Sequence, residues 1–408
     1  MKIGIVGPSH IPSLVPWLGD GHKIPSFYTF PLIGRLAAAL RERGHEICVI
    51  TTSQDILQPF LYQGDKVSVW LIPSRKKRAA YDFYQQERNG LSKAIQQSGC
   101  DLYHAHWCYE FASGVLESGR PYLVTCHDSP NEVYKYTRWT KAWFFWIRRC
   151  QLGRQNLRKS LFTSAVSPYV EKNIRLIAGS KPQCWTIPNG VPDDIFKAGH
   201  QRLSRKFPDN PFRVATVLEG FGNLKNASSA LLGFSIFRAK FPTTELHMFG
   251  GGYGKGGEAE KWALSHGVNT GVYFHGFTPQ AQLHSFLSDS IDVLLHPSLT
   301  ESHPMAVVEA MALGVPVLGG QASGGVPWTL DEGRAGALTD VRDAGRIASS
   351  LEELALHPAK RSLLARAGWE HAHRYFREET MVDAYLRAYQ EVLTQTALAA
   401  NPSTVASG

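Results

Sequence analysis

One stretch, from Asp292 to Gly320, constrains the fold more than any other part of the chain. It reads DVLLHPSLTESHPMAVVEAMALGVPVLGG and begins with a short apolar run, 292–296, that is typical of a buried strand. A polar loop, 298–303, separates this strand from an alanine-rich apolar run that Pro304 opens and Gly314 stops. Because proline at the first position and glycine after the last one are typical of a helix, we predict a helix between them.

A second buried strand, 315–318, follows, so the order is strand, loop, helix, strand. In a parallel sheet such a loop lies at the carboxyl edge of the strands, where ligands bind. The first turn of a helix also offers free backbone N–H groups and a partial positive charge, which suit a phosphate or sugar hydroxyls. Since Pro304 lacks an N–H, we expect His303, Met305 and Ala306 to be the donors.

Two carboxylates belong to the same stretch. Glu301 lies in the loop and Glu309 lies inside the predicted helix, eight positions later. Both can reach one ligand, and carboxylates suit vicinal hydroxyls, which donate hydrogen bonds in pairs. Taken alone, however, the pair favours a simpler interpretation, in which Glu301 is a loop charge and Glu309 a solvated helix residue.

Together with the AMALGVPV that follows, the two glutamates resemble the nucleotide-sugar site of retaining glycosyltransferases of the GT-B fold, in particular glycosyltransferase family 4. The resemblance covers nearly the whole chain. It implies an α/β architecture with two Rossmann-like domains facing each other across a cleft and a C-terminal helix that crosses back. The predicted segments are an acceptor-binding domain at 1–190, a donor-binding domain at 191–375, the returning helix at 376–396 and a disordered tail at 397–408.

Bulk properties agree with such a protein. The 408 residues suit two domains of about 200 each, and 43% hydrophobic and 11% aromatic content are globular values. No run of about 18 apolar residues occurs, and the initial MKIGIVGP is typical of a strand rather than a signal peptide. The 6 cysteines form no CxxC pair, which favours a reducing compartment. We therefore expect a cytoplasmic location.

Charge is distributed unevenly between the two halves. Residues 1–190 hold 24 lysines and arginines against 13 acids, whereas the remainder holds 19 against 22. A basic first half indicates an anionic partner, for which anionic lipid, a phosphorylated acceptor and nucleic acid are candidates.

The segment 135–159, KYTRWTKAWFFWIRRCQLGRQNLRK, concentrates cations and aromatic residues without any acid. A basic aromatic helix of this kind suits the interface of an anionic bilayer, which predicts peripheral contact with the inner face of the membrane. An aromatic face packed in the protein core is an equally good interpretation. No nucleic-acid-binding motif accompanies the segment, so nucleic acid is not an expected partner.

Three histidines in the first half follow strand-like runs. His104 and His106 form an H-x-H pair, which in a metal-dependent amidohydrolase binds a metal, but the repeated strand–helix pattern of that barrel is missing. The D-x-x-H-x-H segment of family 4 is the better match. It implies that His106 lies on the acceptor side and that His127 lies next to the anomeric region of the sugar.

In the second half, the loop EGFGNLKN, 219–226, is similar to the family's diphosphate-binding loop. Lys225 matches the lysine of that loop, but Gly220 stands where the family commonly has an arginine. Further on, Gly250 and Gly251 match a glycine turn that lets the backbone approach the nucleotide.

The resemblance implies transfer of a hexose-type sugar from a UDP- or GDP-sugar to a glycan or lipid-linked acceptor, with retention of configuration. Glu301, His127 and Lys225 are the expected catalytic residues, and Glu309 is expected to hold the ribose. Because no D-x-D motif occurs, we expect neither a metal nor another cofactor beyond the nucleotide sugar. The pathway expected is synthesis of cell-surface polysaccharide or glycolipid. The alternative is a catalytically impaired sugar-nucleotide-binding protein of the same fold.

Overall fold

The computed structural model describes residues 1–19, 30–137, 140, 142–204 and 211–400. It divides into two compact units, of which the first joins Met1–Pro188 to the chain from Glu379 onward and the second is Asn189–Glu378. The division therefore falls two residues before the boundary predicted at 190. The assignment of acceptor and donor to the two domains stays a prediction.

In the described part of the first unit, eight strands form one sheet, in the spatial order third, fourth, second, first, fifth, sixth, seventh and eighth. Neighbouring strands are parallel except the third and fourth, which are antiparallel. The strands are β1 (Lys2–Val6), β2 (Glu46–Ser53), β3 (Phe60–Gln63), β4 (Val67–Pro73), β5 (Leu102–His106), β6 (Tyr122–Cys126), β7 (Phe162–Ala165) and β8 (Gln183–Thr186).

Helices cover both faces of this sheet, as expected for parallel strands that are apolar on both sides. They are α1 (Val15–Leu18), α2 (Pro31–Glu42), α3 (Gln85–Ser98), α4 (Glu110–Ser118), α5 (Pro130–Thr137), α6 (Trp143–Lys159) and α7 (Pro168–Ala178), with short 3-10 helices at Ile11–Leu14 and Ala79–Asp82. The basic aromatic segment predicted at 135–159 is thus divided between the end of α5 and α6.

The second unit, as far as it is described, contains six parallel strands in one sheet. The strands are β9 (Arg213–Val217), β10 (Glu245–Phe249), β11 (Val272–Gly276), β12 (Val293–His296), β13 (Val317–Gly320) and β14 (Ala337–Thr339), in the order β11-β10-β9-β12-β13-β14. The helices are α8 (Asp193–Leu203), α9 (Ala227–Lys240), α10 (Glu258–Ser265), α11 (Gln280–Ser290), α12 (Met305–Ala312), α13 (Val326–Thr329), α14 (Ala344–Leu356) and α15 (Pro358–Tyr375), with a 3-10 turn at Asp331–Gly333. The two predicted parallel α/β domains are therefore confirmed.

The stretch 292–320 folds as β12, a loop, α12 and β13. Pro304 is the extended N-cap residue of α12 rather than its first helical residue, and Gly314 follows the helix at φ +68°. That left-handed conformation favours glycine because a Cβ would be strained there. Val307, Val308 and Met311 are fully buried, so the sheet and its neighbours cover this helix.

The sequence predicts that 351–375 is helical, and the structure divides this segment between two helices. α14 ends at Leu356 and α15 begins at Pro358, with His357 between them at φ −121° and ψ 76°. A proline clashes with a helical conformation of the residue before it, which pushes that residue toward extended backbone and separates the two helices.

The last helix, α16 (Glu378–Ala400), returns to the first unit as predicted, but it is longer than predicted. The predicted disordered tail was wrong for residues 397–400, which are helical. The alanine-rich TALAA continues the helix because alanine has the highest helix propensity. Residues 401–408 lie outside the described residues.

This helix packs on the first unit's sheet through a row of fully buried apolar and tyrosine side chains, among them Tyr385 and Tyr389. The Tyr389 hydroxyl lies 2.7 Å from Nδ1 of the buried His104, and the other nitrogen, Nε2, lies 2.6 Å from the Thr125 hydroxyl. Polar groups so deeply buried need partners, so this chain of hydrogen bonds fixes how the helix lies on the sheet.

Among the described residues, every helix is too short or too polar to form a membrane span.

Tyr389→Phe is expected to lower the free energy of unfolding by about 1–3 kcal/mol, because it removes a hydroxyl that pairs with a buried imidazole nitrogen. Urea unfolding followed by circular dichroism measures the change. Tyr81→Phe is the matched control, since Tyr81 is 61% exposed, and we expect a change within about 0.5 kcal/mol. Equal stability of both variants and the parent protein would contradict this account of how α16 is held.

Candidate active site

A cavity of about 310 Å³ lies in the second unit, where β9, β10 and β12 end. This is the carboxyl edge of the sheet, as the sequence predicted for a ligand site. Five of the residues predicted for the donor site line it: Lys225, Gly250, Glu301, Met305 and Ala306.

Glu301 is the most strongly fixed carboxylate of this cavity. Its Oε1 accepts a hydrogen bond from Lys225 Nζ at 2.7 Å and lies 3.4 Å from His296 Nε2. Burial by itself would raise the pKa of Glu301, but the contact with His296 and the charge of Lys225 outweigh it and lower the pKa to about 2. The group is therefore a carboxylate at neutral pH, suited to accept hydrogen bonds from sugar hydroxyls.

The glycine turn after β10 brings backbone to the same cavity. Gly250 adopts φ +112°, and a Cβ there would lie 1.8 Å from the carbonyl oxygen of Leu218, so only glycine fits. The next amide, that of Gly251, donates to Glu219 Oε2 at 3.1 Å. Glu219 thus accepts a hydrogen bond from an amide of the glycine turn that is predicted to lie beside the nucleotide.

The first turn of α12 faces the cavity through Met305 and Ala306. Val307 and Val308 both donate their backbone N–H to the carbonyl of Pro304, at 3.0 and 3.1 Å. The amides of Met305 and Ala306 precede them and have no carbonyl to bind within the helix, which leaves them suited to an anionic ligand.

Glu309 lies on the second turn of α12, outside the residues that line the cavity. One of its carboxylate oxygens accepts from Gln280 Nε2 and the other lies next to His284 Nε2, each at 3.1 Å. Both partners belong to α11, so the carboxylate is oriented by a neighbouring helix. Its predicted contact with the ribose stays a prediction.

The backbone N–H of His303 is also predicted to bind the donor, and this stays a prediction; the imidazole of His303 lies elsewhere. Nδ1 lies 3.2 Å from the backbone nitrogen of Asn189, which donates to it, and the ring contacts Trp328 and Phe376. The side chain is buried and is not part of the cavity lining. It therefore connects the beginning of the second unit to the loop before α12.

His104, His106 and His127 of the first unit form a continuous row. His106 Nδ1 lies 2.9 Å from His127 Nε2, and the two rings are stacked with centroids 5.2 Å apart. Burial lowers the pKa of His127 to about 3 and lowers that of His106 as well, with a smaller contribution from the neighbouring imidazoles. Both rings are neutral at physiological pH, so each can donate one hydrogen bond and accept one. Their predicted roles beside the sugar and the acceptor stay predictions.

A metal-binding interpretation of the H-x-H pair finds no support in the geometry. Tyr389 and Thr125 occupy the two nitrogens of His104. Within the ranges that the structure describes, no group of three histidine, cysteine or acidic side chains is arranged to hold a metal ion.

The residues that line the 310 Å³ cavity without having been assigned from the sequence include Glu219, His296 and Phe277. Each lies at or directly after the end of a strand of the second sheet, so its position relative to a predicted strand could have identified it. Phe277 is 83% exposed, which is unusual for so large an apolar side chain.

Family profiles match both halves of the chain. The profile described as Glycosyltransferase Family 4 matches residues 32–195, and the one described as Glycosyl transferases group 1 matches residues 202–371. Together they cover most of the sequence, and the second contains all the residues that line the 310 Å³ cavity.

Relatives in sequence match over shorter regions. A D-inositol 3-phosphate glycosyltransferase from Corynebacterium kroppenstedtii is 32% identical over 170 residues, which is 40% of this chain and 37% of the relative. The lipopolysaccharide core biosynthesis glycosyltransferase LpsE from Rhizobium meliloti is 30% identical over 149 residues, 36% of this chain and 42% of the relative. The chain thus matches less than half the length of either protein.

Solved structures share the fold over almost the full length. A sucrose-phosphate synthase from Thermosynechococcus elongatus matches with a TM-score of 0.74 and 18% identity, covering 97% of this chain and 100% of that one. HepE from Anabaena, solved in complex with UDP, has a TM-score of 0.66 and 16% identity, covering 96% of this chain and 100% of that one. With these matches added to the two sheets and the returning helix, the chain has the GT-B fold and belongs to glycosyltransferase family 4, the group 1 glycosyltransferases.

Proposed function

We propose that the protein transfers a hexose-type sugar from a UDP- or GDP-sugar to a glycan or lipid-linked acceptor. The observation that carries the proposal is the cavity in which Glu301, held by Lys225 and His296, lies beside the free amides of α12. Such a site pairs a hydroxyl-binding carboxylate with donors for an anionic group. Two proteins with the same fold, HepE and an Escherichia coli protein solved with UDP-2-fluoro glucose, contain such nucleotides.

In this proposal the diphosphate binds at the beginning of α12, where the amides of Met305 and Ala306 and the ammonium of Lys225 stabilise the charge that develops on the leaving group. Glu301 accepts hydrogen bonds from the transferred sugar and positions its ring. Gly250 and Gly251 lie beside the nucleotide, and Glu309 holds the ribose.

We further propose that transfer retains the anomeric configuration and needs no metal. His127 contributes on the side of the first unit, next to the anomeric region, and His106 orients it through the 2.9 Å contact. Metal-dependent enzymes use a metal ion to bring positive charge to the leaving diphosphate. In this proposal Lys225 supplies that positive charge. The sequence also contains no D-x-D motif.

A second candidate function, sugar-nucleotide binding without turnover, has a specific observation in its favour. The loop after β9 has Gly220 instead of an arginine, and Glu219 adds a negative charge beside the glycine turn. Both features weaken diphosphate binding. A weakened site fits a protein that binds the nucleotide sugar without transferring it.

The location we propose is the cytoplasm, peripherally at the inner face of the cell membrane. Trp143, Phe144 and Phe145 at the beginning of α6 are exposed, and Tyr81 packs against Phe144 with ring centroids 5.0 Å apart. The exposed Lys76, Lys77 and Arg78 precede Tyr81 in the chain. Exposed aromatic side chains next to cations suit the interface of an anionic bilayer. A role in cell-surface polysaccharide or glycolipid synthesis accords with this location and with the relative LpsE.

The direct test is calorimetry and turnover with purified protein against UDP- and GDP-sugars, in the presence of a chelator. Binding with slow release of the nucleotide is the expected result. Binding without release, even with lipid extracts supplied as acceptor, would support the second candidate function. If no nucleotide sugar binds, the transfer proposal is wrong.

Glu309→Ala is expected to weaken UDP or GDP binding about 10- to 100-fold, the effect of removing about 1.5–3 kcal/mol of charge-assisted hydrogen bonding to the ribose. Isothermal titration calorimetry measures it. Glu370→Ala is the matched control, because Glu370 is an exposed helical glutamate of the same unit. Unchanged nucleotide affinity in the Glu309 variant would refute the ribose assignment.

Glu219→Gln is expected to strengthen nucleotide diphosphate binding up to about fivefold, because it removes about 1 kcal/mol of repulsion by an exposed charge and keeps an acceptor for the Gly251 amide. The same titration measures it, with Glu370→Gln as the charge-matched control. A weaker affinity would mean that the carboxylate of Glu219 helps to bind the donor.

Trp143→Ser combined with Phe144→Ser is expected to reduce binding to phosphatidylglycerol-containing vesicles at least about tenfold, because burial of each ring contributes about 1.5–3 kcal/mol when complete. Co-sedimentation with vesicles measures it. Leu176→Ser, on an apolar residue that is 70% exposed on α7, is the control. Equal binding of the double variant and the parent protein would contradict membrane contact through α6.

A further inference from the structure

A second cavity, of about 530 Å³, lies within the first unit. Residues at or just after the ends of β1, β2, β4, β5 and β6 line one side of it, and α4 and α6 close the other. This is again the carboxyl edge of a parallel sheet, and the volume is in the range of small-molecule sites. No residue of this cavity is among those assigned above to the donor.

Two cations, Lys76 and Arg149, line this cavity together with three carboxylates, those of Asp55, Glu110 and Asp128. Arg149 Nη1 donates to Glu110 Oε2 at 2.8 Å, and Lys76 Nζ lies 3.6 Å from Asp55 Oδ1. Among the described lining residues, these pairs leave Asp128 as the excess charge. The cavity is therefore slightly anionic, although the first half of the sequence is strongly basic, and it does not suit a phosphate or carboxylate ligand.

Asp128 is well placed to bind hydroxyls. Its Oδ1 accepts a hydrogen bond from the Tyr109 hydroxyl at 2.9 Å, which fixes the orientation of the carboxyl group. Burial raises the pKa of Asp128 to about 6, so the group is ionised at neutral pH. A carboxylate offers about four acceptor positions, so Asp128 retains capacity for hydroxyl groups of a ligand.

Aromatic side chains provide the apolar part of the cavity. Trp107, Trp146 and Phe111 line it, and Trp107 is held in a left-handed conformation at φ +67°. Its ring packs against His127, with centroids 4.6 Å apart, and its backbone N–H donates to the carbonyl of Thr125. Bulky residues adopt such a backbone only where the surroundings impose it, which is common at ligand sites.

We propose that this cavity binds the acceptor, and that the acceptor presents an uncharged sugar ring or another polyol. Asp128 accepts hydrogen bonds from its hydroxyls, while Trp107 and Trp146 pack against the apolar C–H face of the ring. The proposal rests on the proposed function, because it names the acceptor of that transfer. An uncharged acceptor differs from the phosphorylated acceptor that was one candidate partner for the basic first half of the sequence.

α6 links this cavity to the exposed aromatic side chains described above. Trp146 and Arg149 line the cavity, whereas Trp143 and Phe144, on the preceding turn of the same helix, are exposed. A sugar in the cavity therefore lies close to the surface proposed to meet the membrane. Both a free glycan and the sugar headgroup of a lipid present the hydroxyl chemistry required, and the test must separate them.

The test compares neutral ligands with phosphorylated ones on the full-length protein. Methyl glycosides of glucose, mannose, galactose and N-acetylglucosamine, together with myo-inositol, are titrated at millimolar concentrations, beside glucose 6-phosphate and myo-inositol 1-phosphate. Saturation-transfer NMR, with and without UDP, detects binding. We expect at least one neutral ligand to bind at least about tenfold more tightly than the phosphorylated ones.

Two variants locate the binding. Asp128→Asn is expected to weaken the neutral ligand at least about tenfold, since it removes a charged acceptor of hydroxyl hydrogen bonds. Trp146→Ala should weaken it as well, and Glu42→Gln, an exposed charge change in the same unit, should not. Affinity for UDP is expected to be unchanged in all three variants, and melting curves verify that each is folded.

The outcomes separate this proposal from the proposed function. Any of three results would overturn the proposal of an uncharged acceptor. These are tighter binding of the phosphorylated ligands, no binding of any neutral ligand, and unchanged binding in both cavity variants. Failure of both UDP and GDP to bind would overturn the donor assignment instead, because the glycoside titrations without nucleotide still decide the chemistry of this cavity. Glycolipids with the same sugar, presented in vesicles, then decide between a lipid headgroup and a free glycan: tighter binding in vesicles than in solution identifies the lipid.

Discussion

Parallel strand pairing is the constraint on which the rest of this structure depends. A parallel sheet needs a crossover after each strand, and it needs helices on both faces because both faces are apolar. All strand ends of one kind then lie at the same edge. In both units of this protein many of the polar and aromatic residues that line the cavities follow the carboxyl ends of strands, so residues distant in the sequence share one small volume.

Charge pairing then determines what each cavity can bind. In the second unit Lys225 holds Glu301 and, in the proposed function, also faces the diphosphate that binds at the free amides of α12. In the first unit both lining cations are paired with carboxylates and Asp128 remains. The overall excess of positive charge in the first half is therefore a poor guide to the chemistry of its cavity, because net charge describes the surface rather than a particular site.

Much of the local structure was predictable from the sequence. The helix between Pro304 and Gly314 was predicted within one residue of its ends, because its terminal residues have conformational preferences that few alternatives satisfy. Errors arose where two local signals compete. The segment 351–375 was predicted to be helical throughout, but the proline after His357 divides it into two helices. Residues 397–400 were predicted to be a disordered tail, but they are alanine-rich and continue the last helix.

By itself the sequence determined the strand–loop–helix–strand order of 292–320, the α/β class and the family resemblance, since these follow from periodicity, terminal residues and short motifs. Only the tertiary structure decided how side chains are paired. His303 accepts the backbone N–H of Asn189, Glu219 accepts the amide of Gly251, and Tyr389 reaches His104 from the far end of the chain. Each of these contacts depends on packing between segments far apart in sequence, which no local pattern encodes.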